Sequence, residues 1–277
     1  MIAVDKLVAE IEKSAPLACM EPWDNSGWQI RLLAEGAGVS RVLVALELSG
    51  DVCAEAEALV PGLVLVHHPL FFEPLKAIDA LDVNGGYAAR LVRAGISVYA
   101  AHTSFDAAPG GMNDCLAARM GLSEVLPFPA AGGVGGGQSS AAGPHPMARS
   151  GRFAEPVAFG TLCRRVSEAL ARDAGGRAPV LRTVGDPGRL CRTGAVCGGA
   201  GGDFVGAAAD AGLDVFLTSD VKHHQAALAR ERGLCLIDGG HFGTENLFTH
   251  EMAARLAAAF GGQLEVLETA ADLDPWG

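Results

Sequence analysis

An α/β fold, two related lobes with mixed, largely parallel sheets flanked by helices, is predicted by three features of this 277-residue chain. Four apolar runs (63–66, 96–101, 213–217 and 234–237) have the near-continuous aliphatic character of strands covered on both faces. Segments with helical spacing separate them, which is the rhythm of βαβ units. Each run ends in nitrogen and oxygen donors, as expected where a parallel sheet gathers ligands outside the carboxyl ends of its strands.

The elements follow in order. Val4, Leu7, Val8 and Ile11 recur at helical spacing among charges, so a helix is expected over 3–13. The stretch 21–29, with Pro22, Asp24, Asn25, Ser26 and Gly27, reads as a loop. A strand over 41–47, a helix over 51–59 and the strand 63–66 lead into His67 and His68. Helices near 84–94 and 111–120 bracket the strand that runs into His102 and Asp106. Residues 130–151 are rich in Gly, Ala, Ser and Pro and cannot pack a core, so a flexible loop is expected there between lobes 1–129 and 152–277. The rhythm then restarts: a helix near 158–173, strands near 178–184 and 193–197, a glycine cluster over 198–202 and a helix from Asp203. The last two runs end in Asp220, His223 and His224, and in His241 and Glu245. In both halves a strand reaches a double histidine, and a later strand reaches a histidine with an acidic residue four positions on. Two related lobes sharing one site are the expected architecture.

Composition narrows the function. With 49% hydrophobic residues the chain is long enough to bury a large core. Seven scattered cysteines, an odd number with no Cys-x-x-Cys pair, argue for a reducing cytoplasm rather than a disulfide framework. The N-terminus lacks the tripartite plan of a secretory signal, and no uncharged apolar stretch could span a bilayer. A net charge of −11 opposes the counterion-release attraction behind nucleic-acid binding. Only four of the 21 cationic residues are Lys, two of them (Lys76 and Lys222) within the donor-bearing segments.

Imidazoles and carboxylates without thiolates suit zinc, manganese, iron or nickel and disfavour a sulfur-rich structural zinc site. Each donor also has a bland reading. A histidine pair after a strand can simply be hydrogen-bonded or exposed, Thr244 could cap a helix with Glu245 complementing its dipole, and His145 and His250 are background. The convergence of four strand ends favours metal. His102 and His224, set beside the other donors, are candidates for proton transfer. The glycine cluster fails the Gly-x-Gly-x-x-Gly pattern, and Asp203 would repel a phosphate at the following helix, so close backbone packing is its expected role.

Several blocks in one order then match a known family. These are Trp23 to Gln29, Val42 to Leu46, His67 to Lys76, Ala101-His102-Thr103 with Asp106, Gly110-Gly111 with Asn113-Asp114, Gly198 to Asp203, Thr218 to His224, and Gly239-Gly240-His241 with Thr244-Glu245. Over nearly its whole length the chain resembles the GTP cyclohydrolase I type two, or Nif-three-like, dinuclear metal-centre proteins. The resemblance implies two divalent cations: His68 and Asp106 on one, His67 and His241 on the other, Glu245 on both. It also implies a toroidal homohexamer and a small-molecule substrate such as a nucleotide. The chain departs from the family pattern at Glu47 (usually Asp), Ser104 (Asn), Ser219 (Gly) and His223 (Tyr). The expected function is a metal-dependent hydrolase, with a metal-binding regulatory protein or metal carrier as the alternative.

Overall fold

The computed structural model describes residues 1–73, 75–128 and 146–276. The chain divides into two compact units, Met1–Ala108 with Phe248–Gly277, and Pro109–Leu247.

In the first unit, β1 (Ile2–Ala3) leads into α1 (Val4–Ser14), whose Val4, Leu7 and Ile11 are buried as their spacing predicts. β2 (Gly27–Ile30), β3 (Gly38–Val39) and β4 (Arg41–Ala45) follow. Ser49 then caps α2 (Gly50–Leu59), its hydroxyl accepting from the Val52 N–H at 3.1 Å. β5 (Leu63–Val66) is buried at every residue. α3 (Val83–Ala94) ends at Gly95, whose left-handed conformation (φ +73°) lets its N–H reach the carbonyls of Leu91 and Val92. β6 (Ser97–Ala100) and the single turn α4 (Thr103–Asp106) complete this part.

The second unit opens with α5 (Met112–Met120), β7 (Ser123–Phe128) and β8 (Ala148–Ala158). It continues through α6 (Phe159–Asp173), β9 (Arg182–Val184), β10 (Leu190–Val196) and α7 (Val205–Asp210). β11 (Val215–Thr218), α8 (His223–Glu231), β12 (Cys235–Asp238) and α9 (His241–Glu245) bring it to its end. The chain then returns to the first unit through most of α10 (Leu247–Phe260) and through β13 (Glu265–Glu268).

The first unit's main sheet has the order β13-β4-β5-β6-β2, parallel throughout except for the antiparallel β2 edge. Val66 pairs with Ala100, so β5 and β6 deliver His67, His68 and His102 side by side at one end of the sheet. β2 takes up the last part of the expected loop 21–29: Gly27 pairs with Ala100 and Trp28 with Tyr99, which brings the preceding Asp24 and Ser26 to the same end.

The second unit's sheet has the order β7-β8-β10-β11-β12-β9. Its centre, β10-β11-β12, is parallel, and its flanking pairs are antiparallel. This sheet is less parallel than expected because the segment just before residue 152 is not loop. Residues 148–151 open β8, where Ala148 and Arg149 are buried and the strand pairs with both β7 and β10. Of the rest of the expected loop, residues 130–145 lie outside the described residues.

The unit boundaries also differ from the expected lobes, 1–129 and 152–277, because β13 pairs in parallel with β4 and carries the C-terminal segment back to the first unit. The strand expected over 178–184 is formed only at Arg182–Val184, and a 3₁₀ turn, Gly202–Phe204, precedes α7. Among the described residues no helix is long and apolar enough to cross a membrane.

Candidate metal centre

Adjacent parallel strands lie about 4.8 Å apart, so residues that follow paired positions on β5 and β6 emerge as neighbours. The imidazole of His67 lies with its centroid 5.0 Å from that of His68 and 5.1 Å from that of His102, and the rings of His68 and His102 are 5.6 Å apart. One donor atom from each of the three falls within 4.8 Å of the others. Asp106, on the last residue of α4, places Oδ1 3.5 Å from Nε2 of His67, and both side chains are buried. The first unit therefore brings together His67, His68, His102 and Asp106.

In the second unit, His241 opens α9 and Glu245 sits one turn on, so the i, i+4 spacing stacks them on one helix face. Nε2 of His241 and Oε2 of Glu245 are 2.9 Å apart, with Glu245 buried. Close backbone packing holds this pair. Gly199 is left-handed (φ +62°), and a Cβ there would collide with the Glu245 carboxylate. The Gly199 N–H donates to Thr244 Oγ1 at 3.1 Å, and its carbonyl accepts from Ser219 Oγ at 2.6 Å. The glycine cluster thus serves close packing, as its sequence suggests. Thr244 lies inside α9, its hydroxyl donating to the carbonyls of Gly240 and His241.

One feature unites the four histidines. Nδ1 of each meets an oxygen: the Ala101 carbonyl for His67 (2.9 Å), Glu47 for His68 (2.9 Å), Asp24 for His102 (2.7 Å) and Asp220 for His241 (2.7 Å). A carbonyl only accepts, so Nδ1 of His67 carries the hydrogen, and in its neutral form the ring presents a lone pair on Nε2. Carboxylates on the other three favour the same tautomer, orient the rings and raise the basicity of Nε2, which is how metal-ligating imidazoles are usually supported. The donor set therefore fits divalent cations. Asp220 is held at φ +52°, a conformation that short polar residues tolerate better than most and that recurs at functional sites.

Asp24 is a heavily engaged carboxylate near the first donor set. It accepts from the Asn25 N–H, Ser26 Oγ, the Thr103 N–H, Thr103 Oγ1 and His102. Burial opposes its charge, but the hydrogen bond and charge of His102, joined by Ser26 and Thr103, outweigh that and hold the carboxyl well below the ordinary carboxylate range.

Glu21, also buried, has no hydrogen-bond partner for Oε2 among the described residues, and burial followed by the charge of Asp24 pushes its carboxyl up. A carboxyl raised in the folded state favours folding fully only below its unfolded value, near pH ~4.3, and loses that contribution as pH rises through the folded value. Glu21→Gln is therefore expected to raise the thermal midpoint at neutral pH, with the gain vanishing below about pH 4. An equal shift at both pH values would rule this out.

The structure does not join every predicted residue to these sets. His224 is exposed on the first turn of α8 and belongs to neither donor group among the described residues. His223 beside it and Lys222 at the N-cap are also exposed. Asp24, Glu47 and Asp220 are the supporting residues that sequence reasoning did not assign. Asp24 and Asp220 lie in the motif blocks, yet their partners are 78 and 21 residues away, and no local spacing reveals such pairs.

Comparison with known proteins bears on the whole chain. The family model described as Duf34/NIF3 (NGG1p interacting factor 3) matches residues 2–275. A Nostoc protein named GTP cyclohydrolase 1 type 2 homolog is 36% identical over 86% of this chain and 85% of its own length. A Schizosaccharomyces pombe protein named Protein NIF3 homolog is 28% identical over 92% and 90%. The solved structure of a Bacillus cereus protein related to NIF3 superposes with a TM-score of 0.80 at 23% identity, covering 99% of this chain and 98% of that one. At that identity the likeness speaks for the fold alone.

Proposed function

Because this chain belongs to the Duf34/NIF3 family, we propose that it is a dinuclear metal-dependent hydrolase in which His67, His68, Asp106, His241 and Glu245 hold two divalent cations. The observation that carries this reading is the uniform support of Nδ1 by oxygen in His67, His68 and His241, an arrangement that readies Nε2 for a metal. The ligand assignment is the one the family resemblance implies. Zinc, manganese, iron and nickel all suit the nitrogen and oxygen donors. When bound, such a pair supplies Lewis acidity that polarises water and the scissile group.

The chain's own residues would do the rest. Glu47, Asp220 and the Ala101 carbonyl fix ring orientation. Asp24 holds His102 through Nδ1, leaving Nε2 to take a proton from attacking water and return it to a leaving group. His224, exposed on α8, is retained as a proton carrier only in so far as bound substrate reaches it. The homohexamer implied by the family resemblance and the cytoplasmic setting expected from the scattered cysteines belong to the same proposal.

The name shared by the bacterial relatives points to GTP as substrate, with one water opening the imidazole ring at purine C8 to a formamide and a second hydrolysing that formamide to release formate. Formate release from GTP by the metal-reconstituted protein, measured against a metal-only control, tests this. Release above the control is expected. Its absence, together with unfolding on chelation, would favour the alternative of a metal-binding regulatory protein or carrier.

A further inference from the structure

Cys191, near the start of β10, and Cys235, the first residue of β12, are buried free thiols in the second unit. Asp214, just before β11, ties the two strands together around them. Its carboxylate accepts from the Arg192 and Thr193 N–H groups at 2.8 and 3.1 Å, and its carbonyl accepts from the Cys235 N–H at 3.0 Å. Arg189 adds a second tie: its guanidinium donates to the Gly233 carbonyl and lies 3.5 Å from Asp214 Oδ1. The thiols thereby meet, and Cys191 donates its S–H to the Cys235 sulfur. That bond, followed by burial, pushes the Cys191 thiol up, whereas accepting it holds Cys235 down. Gly185 (φ +131°) keeps side-chain atoms off the pair, since a Cβ there would stand 2.7 Å from Cys235 Sγ. Cys163 on α6, half-buried, is a third thiol within electrostatic reach; burial, then Cys235, pushes it up to about 11.

Geometry decides what such a pair can hold. Where β10, β11 and β12 are in register, at Gly194, Val215 and Cys235, the outer two backbones stand two strand spacings apart, about 9.6 Å. A disulfide closes only when the Cα atoms come within about 7 Å, so oxidation would have to draw β10 and β12 together. One cation bonded to both sulfurs at about 2.3 Å bridges them without that movement. The compact donor groups among the described residues are built on histidines and include none of these cysteines, so the pair offers sulfur without nitrogen. Two sulfurs suit monovalent copper, which is content with two ligands, better than zinc, which takes four. We infer that Cys191 and Cys235 form a binding site for one soft, thiophilic cation of the monovalent-copper class, sharing no residue with the imidazole and carboxylate centre. Binding exchanges the Cys191 thiol proton, released to solvent, for the cation, and the copper stays monovalent. The resulting bis-thiolate complex carries one negative charge, which the Arg189 guanidinium offsets. The inference stands independently of the hydrolase reading.

Anaerobic titration of the reduced, full-length protein with monovalent copper, against the chromophoric chelator bicinchoninate, tests it. The wild type should withhold about one copper per chain from the chelator. Cys235→Ser and Cys191→Ser should each weaken that binding at least about 100-fold. Cys53→Ser, which alters a buried thiol on α2 of the first unit, and His241→Ala should leave it unchanged. X-ray absorption at the copper edge of the wild type needs no variant to fold, and it should show sulfur neighbours only. Nitrogen or oxygen neighbours, undiminished binding in a Cys235→Ser protein with unaltered circular dichroism, or no copper withheld by the wild type would each overturn the inference. So would a Cys191–Cys235 disulfide formed with peroxide by a protein whose reduced form takes up no copper.

Discussion

Asp24→Ala is expected to lower stability by about 3 kcal/mol at neutral pH, read as a fall in the urea midpoint. The carboxylate is buried and accepts five hydrogen bonds, from Asn25, Ser26, His102 and twice from Thr103. Removing it strands several donors at once, and a buried donor left without an acceptor costs about 1–3 kcal/mol. One of these donors is the N–H of Thr103, the first residue of α4, so the loss also frays the turn that carries Asp106. Because the Asp24 carboxyl is held low in the folded state, its contribution is present above the unfolded value near pH ~3.9 and is lost as pH falls through the lower folded value. The gap between wild type and variant should be full above about pH 5 and narrow in stronger acid. Equal midpoints at neutral pH would remove Asp24 from its place as organiser of the His102 end of the sheet.

The sequence made the donor-bearing strand ends legible because their signals are local. A continuous apolar run such as 63–66 reads as a strand covered on both faces, and histidines directly after it must emerge at its carboxyl end. The i, i+4 spacing of His241 and Glu245 needs only one helical turn. Non-local pairing was not legible. β13 joins β4 through contacts between Glu265 and Arg41 and their successors, and nothing in residues 265–268 alone names that partner. The support of each Nδ1 is non-local in the same way: Glu47 lies 21 residues before His68, and Asp24 lies 78 before His102. Residues 148–151 misled for a different reason. Small and polar residues such as Arg149, Ser150 and Gly151 carry little strand propensity, and strand β8 is fixed there by its ladder with β10 instead. His224, beside a motif, lies on an exposed helix face, a placement that the motif alone does not reveal.

The second large effect concerns Glu245. Its carboxylate is buried, contacts Nε2 of His241, and faces a glycine whose missing side chain gives it room. In the proposed assignment it is the ligand common to both cations, so its loss should weaken both rather than one. Removing outer supports of a ligand costs about 10–100-fold in metal affinity or activity, and removing a shared ligand itself should cost more. Asp220→Ala, which frees Nδ1 of His241 while leaving every proposed ligand in place, should fall in that smaller range.

Elemental analysis of purified wild-type protein beside Glu245→Ala, both shown to be folded, tests the central claim most directly. About two divalent cations per chain in the wild type and a clear loss in the variant are predicted. A wild-type protein that retains no cation after incubation with zinc, manganese, iron or nickel, or a variant with undiminished metal content, would contradict it.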